Sequence, residues 1–373
     1  MFLTREAVPV GQNFVFRSQR DAEAIARGDL RFAVCPACGF VFNAAFDPAL
    51  VAYGGAYEND QSCSPSFSAY ADELVRDLVE RRGVRGKRVV EVGCGQGYFL
   101  QRLVSYPGSE NSGVGFDPTY RGSETALDGR VRFERRYYDA EAADTPADAV
   151  VCRHVIEHVR EPLALLEQVA AALRNAENPR LFFETPSVEW IFRNDAFWDF
   201  FYEHCSLFSP ASLAFAFERA GFRVEEIREL FGGQYLWIEG DRAAIAPFAR
   251  DVRELVALAL RFGERERALQ MKWTAAIDEL RDAGPVALWG AGAKGVTFAN
   301  LIDPSRERID CVVDLNPAKQ ETFVAGSGHP IVDYPELATR GVKSAVVMNP
   351  NYAQENERLL AAASVDVRLV VAT

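Results

Sequence analysis

Val89-Val90-Glu91-Val92-Gly93-Cys94-Gly95-Gln96-Gly97 is the stretch from which the rest of the chain can be read. Three β-favouring valines run into a Gly-x-Gly-x-Gly turn. Tyr98-Phe99-Leu100-Gln101-Arg102-Leu103-Val104 then reads as a helix start. Glycines let a backbone turn sharply and let a ligand approach with no Cβ in the way. The first turn of a helix has unpaired N–H groups to offer. Strand, turn and helix N-terminus together make a nucleotide-sized cradle, and the flanking elements give the glycine motif its weight.

A carboxylate accompanies it. Gly113-Val114-Gly115-Phe116-Asp117-Pro118 reads as a second strand ending in an acid, 20 residues past Gly97. In doubly wound folds such an acid takes the hydroxyls of a ribose. The plainer alternative is an ordinary strand–helix–strand unit with a capping aspartate. The coincidence of motif and acid weighs against it.

Glu-x-Gly-Cys-Gly-x-Gly followed by an acidic second strand resembles the class I S-adenosylmethionine-dependent methyltransferases. The resemblance implies that Gly93, Gly95 and Gly97 line the methionine part of the cofactor. It also implies that Asp117 holds the ribose and that Glu91 supports the loop.

Composition narrows the partners. With 373 residues, two or three domains are expected, and 49% hydrophobic content is ample for their cores. The net charge of −12 is the wrong sign for tracking phosphates, so nucleic acid is not an expected partner. Residues 1–6 lack a basic region leading into an apolar run, and no apolar stretch reaches bilayer-spanning length. No membrane partner is expected. The seven cysteines are scattered apart from one pair, which suits a reduced, cytoplasmic protein.

Residues 1–66 read as a small, turn-rich segment. Cys35-Pro36-Ala37-Cys38-Gly39 has the look of a zinc knuckle, yet a structural zinc takes four ligands and one pair is present. Three readings stand: a degenerate knuckle without metal, a zinc site completed by unusual ligands, or a redox pair. Phe40-Val41-Phe42 is a short strand, and Tyr53, Tyr57 and Tyr70 bring hydroxyls.

Residues 67–245 alternate strand and helix signals, which argues for a parallel sheet covered by helices: an α/β, doubly wound, Rossmann-like domain. Val131-Arg132-Phe133-Glu134, Ala147-Asp148-Ala149-Val150-Val151-Cys152 and Leu181-Phe182-Phe183-Glu184-Thr185-Pro186 are further strands. Ligands gather at the carboxyl ends of such strands, which brings Arg153 and His154 to the cofactor mouth. Glu157-His158 is expected to begin a helix that runs to Leu173.

Trp198-Asp199-Phe200-Phe201-Tyr202-Glu203-His204-Cys205-Ser206-Leu207-Phe208-Ser209 follows. A histidine in so aromatic a wall is either a satisfied core residue or a base with a shifted pKa. Val224 and Tyr235-Leu236-Trp237-Ile238 mark two more strands. Cys-x-x-Cys-Gly, a central methyltransferase and Glu-His-x-x-x-Phe-Ser together resemble the three-part sugar C-methyltransferases. In that family the N-terminal part binds zinc through four cysteines, and a Glu-His pair with an N-terminal tyrosine carries the base chemistry. The resemblance thus implies catalytic roles for His204, Glu203 and Tyr57, and zinc ligation by Cys35 and Cys38. The family's first cysteine pair has no counterpart here, and Phe201 stands where the family often has tyrosine.

Residues 246–282 form a helical linker by pattern. Val252, Leu255, Val256 and Ala259 make one apolar stripe, and Leu269, Trp273, Ile277 and Leu280 make another. The stripes are expected to join domains or to serve an oligomer contact. Residues 283–373 form a second Rossmann-like α/β domain. Strand Pro285-Val286-Ala287-Leu288-Trp289 runs into Gly290-Ala291-Gly292-Ala293-Lys294-Gly295, and strand Ile309-Asp310-Cys311-Val312-Val313 ends at Asp314. Lys294 is placed to meet a phosphate. The same family carries such a domain to help hold a nucleotide sugar, so a small-molecule acceptor of that kind is expected. Glu203 would orient His204 if the segment is a turn, since neighbours in a strand face opposite ways. Three other readings remain: O- or N-methylation of a small natural product, a nucleotide-sugar oxidoreductase built on the second glycine motif, and a non-catalytic cofactor binder.

Overall fold

The computed structural model describes residues 1–51, 53, 57–245, 247–248 and 251–372. The N-terminal part is more regular than its sequence suggests. β1 (Leu3–Pro9), β2 (Arg27–Val34) and β3 (Val41–Asn43) pair antiparallel. β2 alternates as a half-buried strand should, with Leu30 and Phe32 wholly inside and Arg31 outside. β1 hides the same alternation behind a bulge between Arg5 and Val8, where Ala7 takes a positive φ of 51°.

The central sheet comprises β4 (Arg88–Val92), β5 (Ser112–Phe116), β6 (Thr125–Ala126), β7 (Val131–Glu134), β8 (Ala149–Arg153) and β9 (Arg180–Pro186), completed by strands further on. β10 (Ser206–Leu207) leaves this sheet to pair with β3. β11 (Arg223–Leu230) and β12 (Tyr235–Asp241) return as an antiparallel hairpin. The order is β11-β12-β9-β8-β4-β5-β7-β6, with β9, β8, β4, β5 and β7 parallel. Four of the five residues of β4 are buried, as expected for a strand covered on both faces. Strand order reverses at β4, so the ligand crevice of such a sheet opens at its carboxyl end.

The helix expected from Glu157 to Leu173 is two elements. A 3-10 turn spans Ile156–His158, and the helix proper is Pro162–Ala172. Proline lacks the N–H that a helix interior needs and suits its first turn, so Pro162 starts the helix.

In the expected helical run 246–282, residues 246, 249 and 250 lie outside the described residues, and the helix is Arg253–Arg281. Leu255, Ala259, Phe262, Leu269, Trp273 and Ile277 form one continuous buried stripe. That stripe shares a core with Leu30, Phe32, Trp198, Phe200 and Phe298. Joining the three parts is therefore what the apolar face does. Arg5 reinforces the junction: it pairs with Glu266 at 2.6 Å and donates to the carbonyls of Phe200 and Phe197 at 2.7 and 2.6 Å. The aromatic segment is thus clamped between β1 and the long helix.

The C-terminal sheet holds β13 (Val286–Trp289), β14 (Ile309–Val313), β15 (Thr322–Phe323), β16 (Pro330–Val332), β17 (Ser344–Val347) and β18 (Arg368–Val371). Its order is β15-β16-β14-β13-β17-β18, parallel except between β15 and β16. Among the described residues, no helix is long and apolar enough to cross a membrane.

Candidate functional site

The β4 turn has the shape its glycines predict. Gly93, Gly95 and Gly97 take φ values of 70°, 53° and 78°, the left-handed region that favours glycine. Their bareness serves different ends. A Cβ on Gly93 would lie 2.1 Å from Val155, and one on Gly97 2.4 Å from the Phe133 ring. A Cβ on Gly95 would meet nothing within 4 Å, so there the backbone itself faces open space. Asp117 accepts the Gly95 amide at 2.8 Å and the Thr119 amide at 2.7 Å. Glu91 is buried and accepts the Leu100 amide at 3.1 Å, inside the first turn of the helix Tyr98–Ser105. Burial pushes its pKa up to about 8, against the pull of Arg153. Glu91 thus braces the first turn of the helix that follows the loop. An open glycine backbone, a helix N-terminus and a carboxylate at the next strand end are a donor and acceptor set that fits a nucleoside cofactor.

Arg153 and His154 part company at the end of β8. The Arg153 guanidinium stacks 4.5 Å from the Phe99 ring centroid and pairs with Glu184 at 3.1 Å, with only 9% of its side chain exposed. It sits within the wall and holds Glu184. His154 has a positive φ of 54° and lines a cavity that it shares with Tyr57 and His204. Its Nε2 is 2.6 Å from Glu184 and its Nδ1 3.4 Å from Glu157. Burial works to lower its pKa, but the two carboxylates prevail and raise it to about 9. Glu184 mirrors this: despite burial, Arg153, His154 and Tyr70 bring it down to about 2. His154 is accordingly an imidazolium at neutral pH.

His204 is the opposite case. It lies just after a turn, packs against Phe201 with centroids 4.0 Å apart, and meets the edge of His158 at 4.7 Å. Burial, then the neighbouring His158 and His154, hold its pKa well below the ordinary value. It is a neutral imidazole facing the cavity. Glu157, His158 and His204 each bring a ligating atom within 4.8 Å of the other two. They offer the donor set in this region that could hold a divalent cation.

Glu203 turns elsewhere. Its Oε2 accepts the Gln12 amide at 2.7 Å, and the hydroxyls of Tyr57 and Tyr53 lie close enough to the carboxylate to draw its pKa down. Burial raises it to about 7, with those donors opposing. The turn therefore separates the Glu-His pair: Glu203 joins Tyr57, while the carboxylate beside His204 is Glu157. Tyr53 is also 2.8 Å from His158 Nδ1.

The histidines, Glu157 and Tyr57 line one cavity of about 280 Å³. Tyr57, His154, Glu157, His158 and His204 form one side; Gly290, Gly292, Lys294 and Gly295 of the C-terminal turn form another. A Cβ on Gly292 would meet nothing within 4 Å, while one on Gly295 would lie 1.9 Å from the Gly290 carbonyl oxygen. Lys294 lies 2.7 Å from Asp199, which fastens the C-terminal turn to the aromatic segment. Cys35 and Cys38 stand apart, at the β2–β3 turn, and belong to no metal-sized group of three donors among the described residues.

Residues 67–227 match the methyltransferase domain family, and residues 251–372 match the C-methyltransferase C-terminal domain. The chain belongs to the class I S-adenosylmethionine-dependent methyltransferases. It is 28% identical over 322 residues to the C-methyltransferase NovU of Streptomyces niveus, covering 81% of this chain and 76% of that protein. It is 32% identical over 98 residues to the ubiquinone biosynthesis O-methyltransferase of Aeromonas salmonicida, covering 25% of this chain and 41% of that one. Among solved structures, the magnesium protoporphyrin IX methyltransferase of Synechocystis PCC 6803 with bound SAH superposes with a TM-score of 0.38 at 18% identity, over 48% of this chain and 84% of that chain.

Within this methyltransferase, two cavity residues, Glu157 and Lys294, and Tyr53 beside His158 show their settings only in the structure. Glu157 was readable only as the start of a helix, and Lys294 only as a phosphate contact. Tyr53 was legible as a hydroxyl with no partner. Their partners come from distant parts of the chain, and no local pattern announces such meetings.

Proposed function

We propose that this methyltransferase adds a methyl group to the carbon beside a carbonyl in a nucleotide-linked keto sugar. One observation carries the reading: the histidine cluster and the C-terminal glycine turn line the same cavity. The match to a C-methyltransferase C-terminal domain and the similarity to NovU support it. The nucleotide would lie against bare Gly292 and the N-terminus of the helix Ala293–Ile302, an end that favours anions. The sugar would reach the histidines.

The residues of turn 93–97 would hold the methionine part of S-adenosylmethionine and Asp117 its ribose. That cofactor, when bound, supplies the methyl group as an electrophile. The protein supplies position and a nucleophile. His204, neutral at pH 7, takes the proton from the acceptor carbon onto its free ring nitrogen. Glu157, close by, balances the imidazolium that results. The Tyr57 hydroxyl donates its one proton to the oxygen that gains charge, and the nearby Glu203 carboxylate, by its charge, keeps that hydroxyl protonated. Alignment of the reacting atoms contributes at most about 7–11 kcal/mol.

The test is incubation with S-adenosylmethionine and a panel of nucleotide-linked keto sugars. The product should carry its new methyl on carbon, and deuterium from heavy water should wash into the same carbon of unreacted acceptor. A methyl on oxygen or nitrogen would reject the reading.

A further inference from the structure

Cys35 and Cys38 do not fit the zinc that the resemblance implied. A structural zinc takes four donors. Here there are two sulfurs, and among the described residues no third donor joins them in a metal-sized group. What the turn does offer is a pair of thiols held together. Residues 36–38 form a turn between β2 and β3, fastened by Cys35 N–H to the Phe40 carbonyl at 2.8 Å and Gly39 N–H to the Cys35 carbonyl at 2.9 Å. Gly39 has a φ of 74°, and a Cβ there would lie 2.7 Å from Leu255, so the turn is seated against the long helix. The Cys38 side chain is hydrogen-bonded to the Cys35 sulfur.

The two thiols also differ in setting from the rest. Both are half-buried, within reach of a small reagent. Partial burial raises the Cys35 pKa, but the amides of Ala37 and Cys38 and the Cys38 thiol outweigh it and lower it overall. Cys94, Cys152, Cys205 and Cys311 are pushed upward, chiefly by burial, and so is Cys63. A favoured thiolate beside a second thiol is the arrangement that exchanges with disulfides.

We infer that Cys35 and Cys38 form a reversible dithiol–disulfide couple. The Cys35 thiolate attacks a small-molecule disulfide, forming a mixed disulfide and expelling one thiolate. The Cys38 thiol then gives up its proton and displaces the second. The protein's two thiols are oxidised, and the small disulfide is reduced to two thiols. The couple adjoins the catalytic segment: β3 pairs with Ser206 and Leu207, and Asn43 N–H donates to the Cys205 carbonyl at 2.9 Å, beside His204.

The test is to equilibrate the full chain in mixtures of reduced and oxidised glutathione. Peptide mapping and zinc analysis are run on the same samples. A Cys35–Cys38 link that forms in oxidised mixtures and reopens in reduced ones is expected, with zinc far below one per chain. Cys38→Ser should stop at a mixed disulfide on Cys35, and circular dichroism checks that it folds. One zinc per chain, lost in Cys35→Ser, overturns the inference. So does wild-type protein that stays folded in oxidised glutathione without the link.

Discussion

The carboxylate of Asp117 accepts the backbone amide of Gly95 at 2.8 Å. The C-terminal unit repeats the arrangement, for Asp314 accepts the Ala291 amide at 2.9 Å. In each case an acid at the end of the second strand braces the glycine turn of the first. In the methyltransferase half the same carboxylate is the proposed ribose ligand, so its removal strikes both roles. Asp117→Ala should weaken S-adenosylhomocysteine binding by roughly tenfold to a hundredfold, the worth of about 1.5–3 kcal/mol for hydrogen bonds to a charged group. Gly95→Val should abolish binding, because its side chain fills the open face. Calorimetry reads both, and unchanged affinity in Asp117→Ala would move the ribose elsewhere.

His204→Ala should leave S-adenosylhomocysteine affinity intact and cut turnover by roughly a hundredfold to ten-thousandfold, the range for a positioned base. Glu157→Gln should lower turnover in the same direction, because Glu157 rather than Glu203 stands beside the imidazole. Glu203→Gln should act through Tyr57 instead, so combining it with Tyr57→Phe should cost little beyond either change alone. Rates from a double-mutant cycle decide this, and full additivity would separate Glu203 from Tyr57.

Much of the fold could be read from local signals. Valines, three glycines, an amphipathic helix and an acid lie within one short stretch, so β4, its turn and β5 were legible. The C-terminal unit yielded to the same reading. The site was legible by halves. His204 stood out, but its setting did not, because Glu157 and His158 reach it from the end of β8. The Glu-His pair looked like a partnership in sequence, and the turn at residues 202–203 sends the two side chains to different neighbours. β1 went unread because a bulge breaks its alternation, and β10 because two residues carry no period.

Glu157, His158 and His204 also make a donor trio, and a base and a metal ligand cannot be the same lone pair. With His204 as base, extensive dialysis against a chelator should leave turnover within about twofold of the untreated enzyme, a shift of under ~0.5 kcal/mol in the barrier. Turnover lost on chelation and restored by zinc or cobalt would reassign the trio to a metal.

The buried Glu184 carboxylate, with Arg153 and His154, should leave a signature in the pH dependence of stability. Glu184 has its pKa depressed from 4.5 to about 2: burial opposes this, and the charges of Arg153 and His154 prevail. Its contribution is complete above pH 4.5 and is lost as pH falls through about 2. His154 has its pKa raised from 6.5 to about 9, again against burial, by Glu184 and Glu157. Its contribution is complete below pH 6.5 and is lost as pH rises through about 9. The two shifts describe one contact and are counted once. His154→Gln should therefore flatten the alkaline limb of a thermal-unfolding profile while sparing much of the acid limb, where Arg153 still faces Glu184. Glu184→Gln should cost more, up to about 3–5 kcal/mol at neutral pH, because it leaves the buried Arg153 without its counter-charge and His154 with Glu157 alone. If wild type and His154→Gln lose stability in parallel through pH 9, His154 is not the cation that the alkaline limb reports.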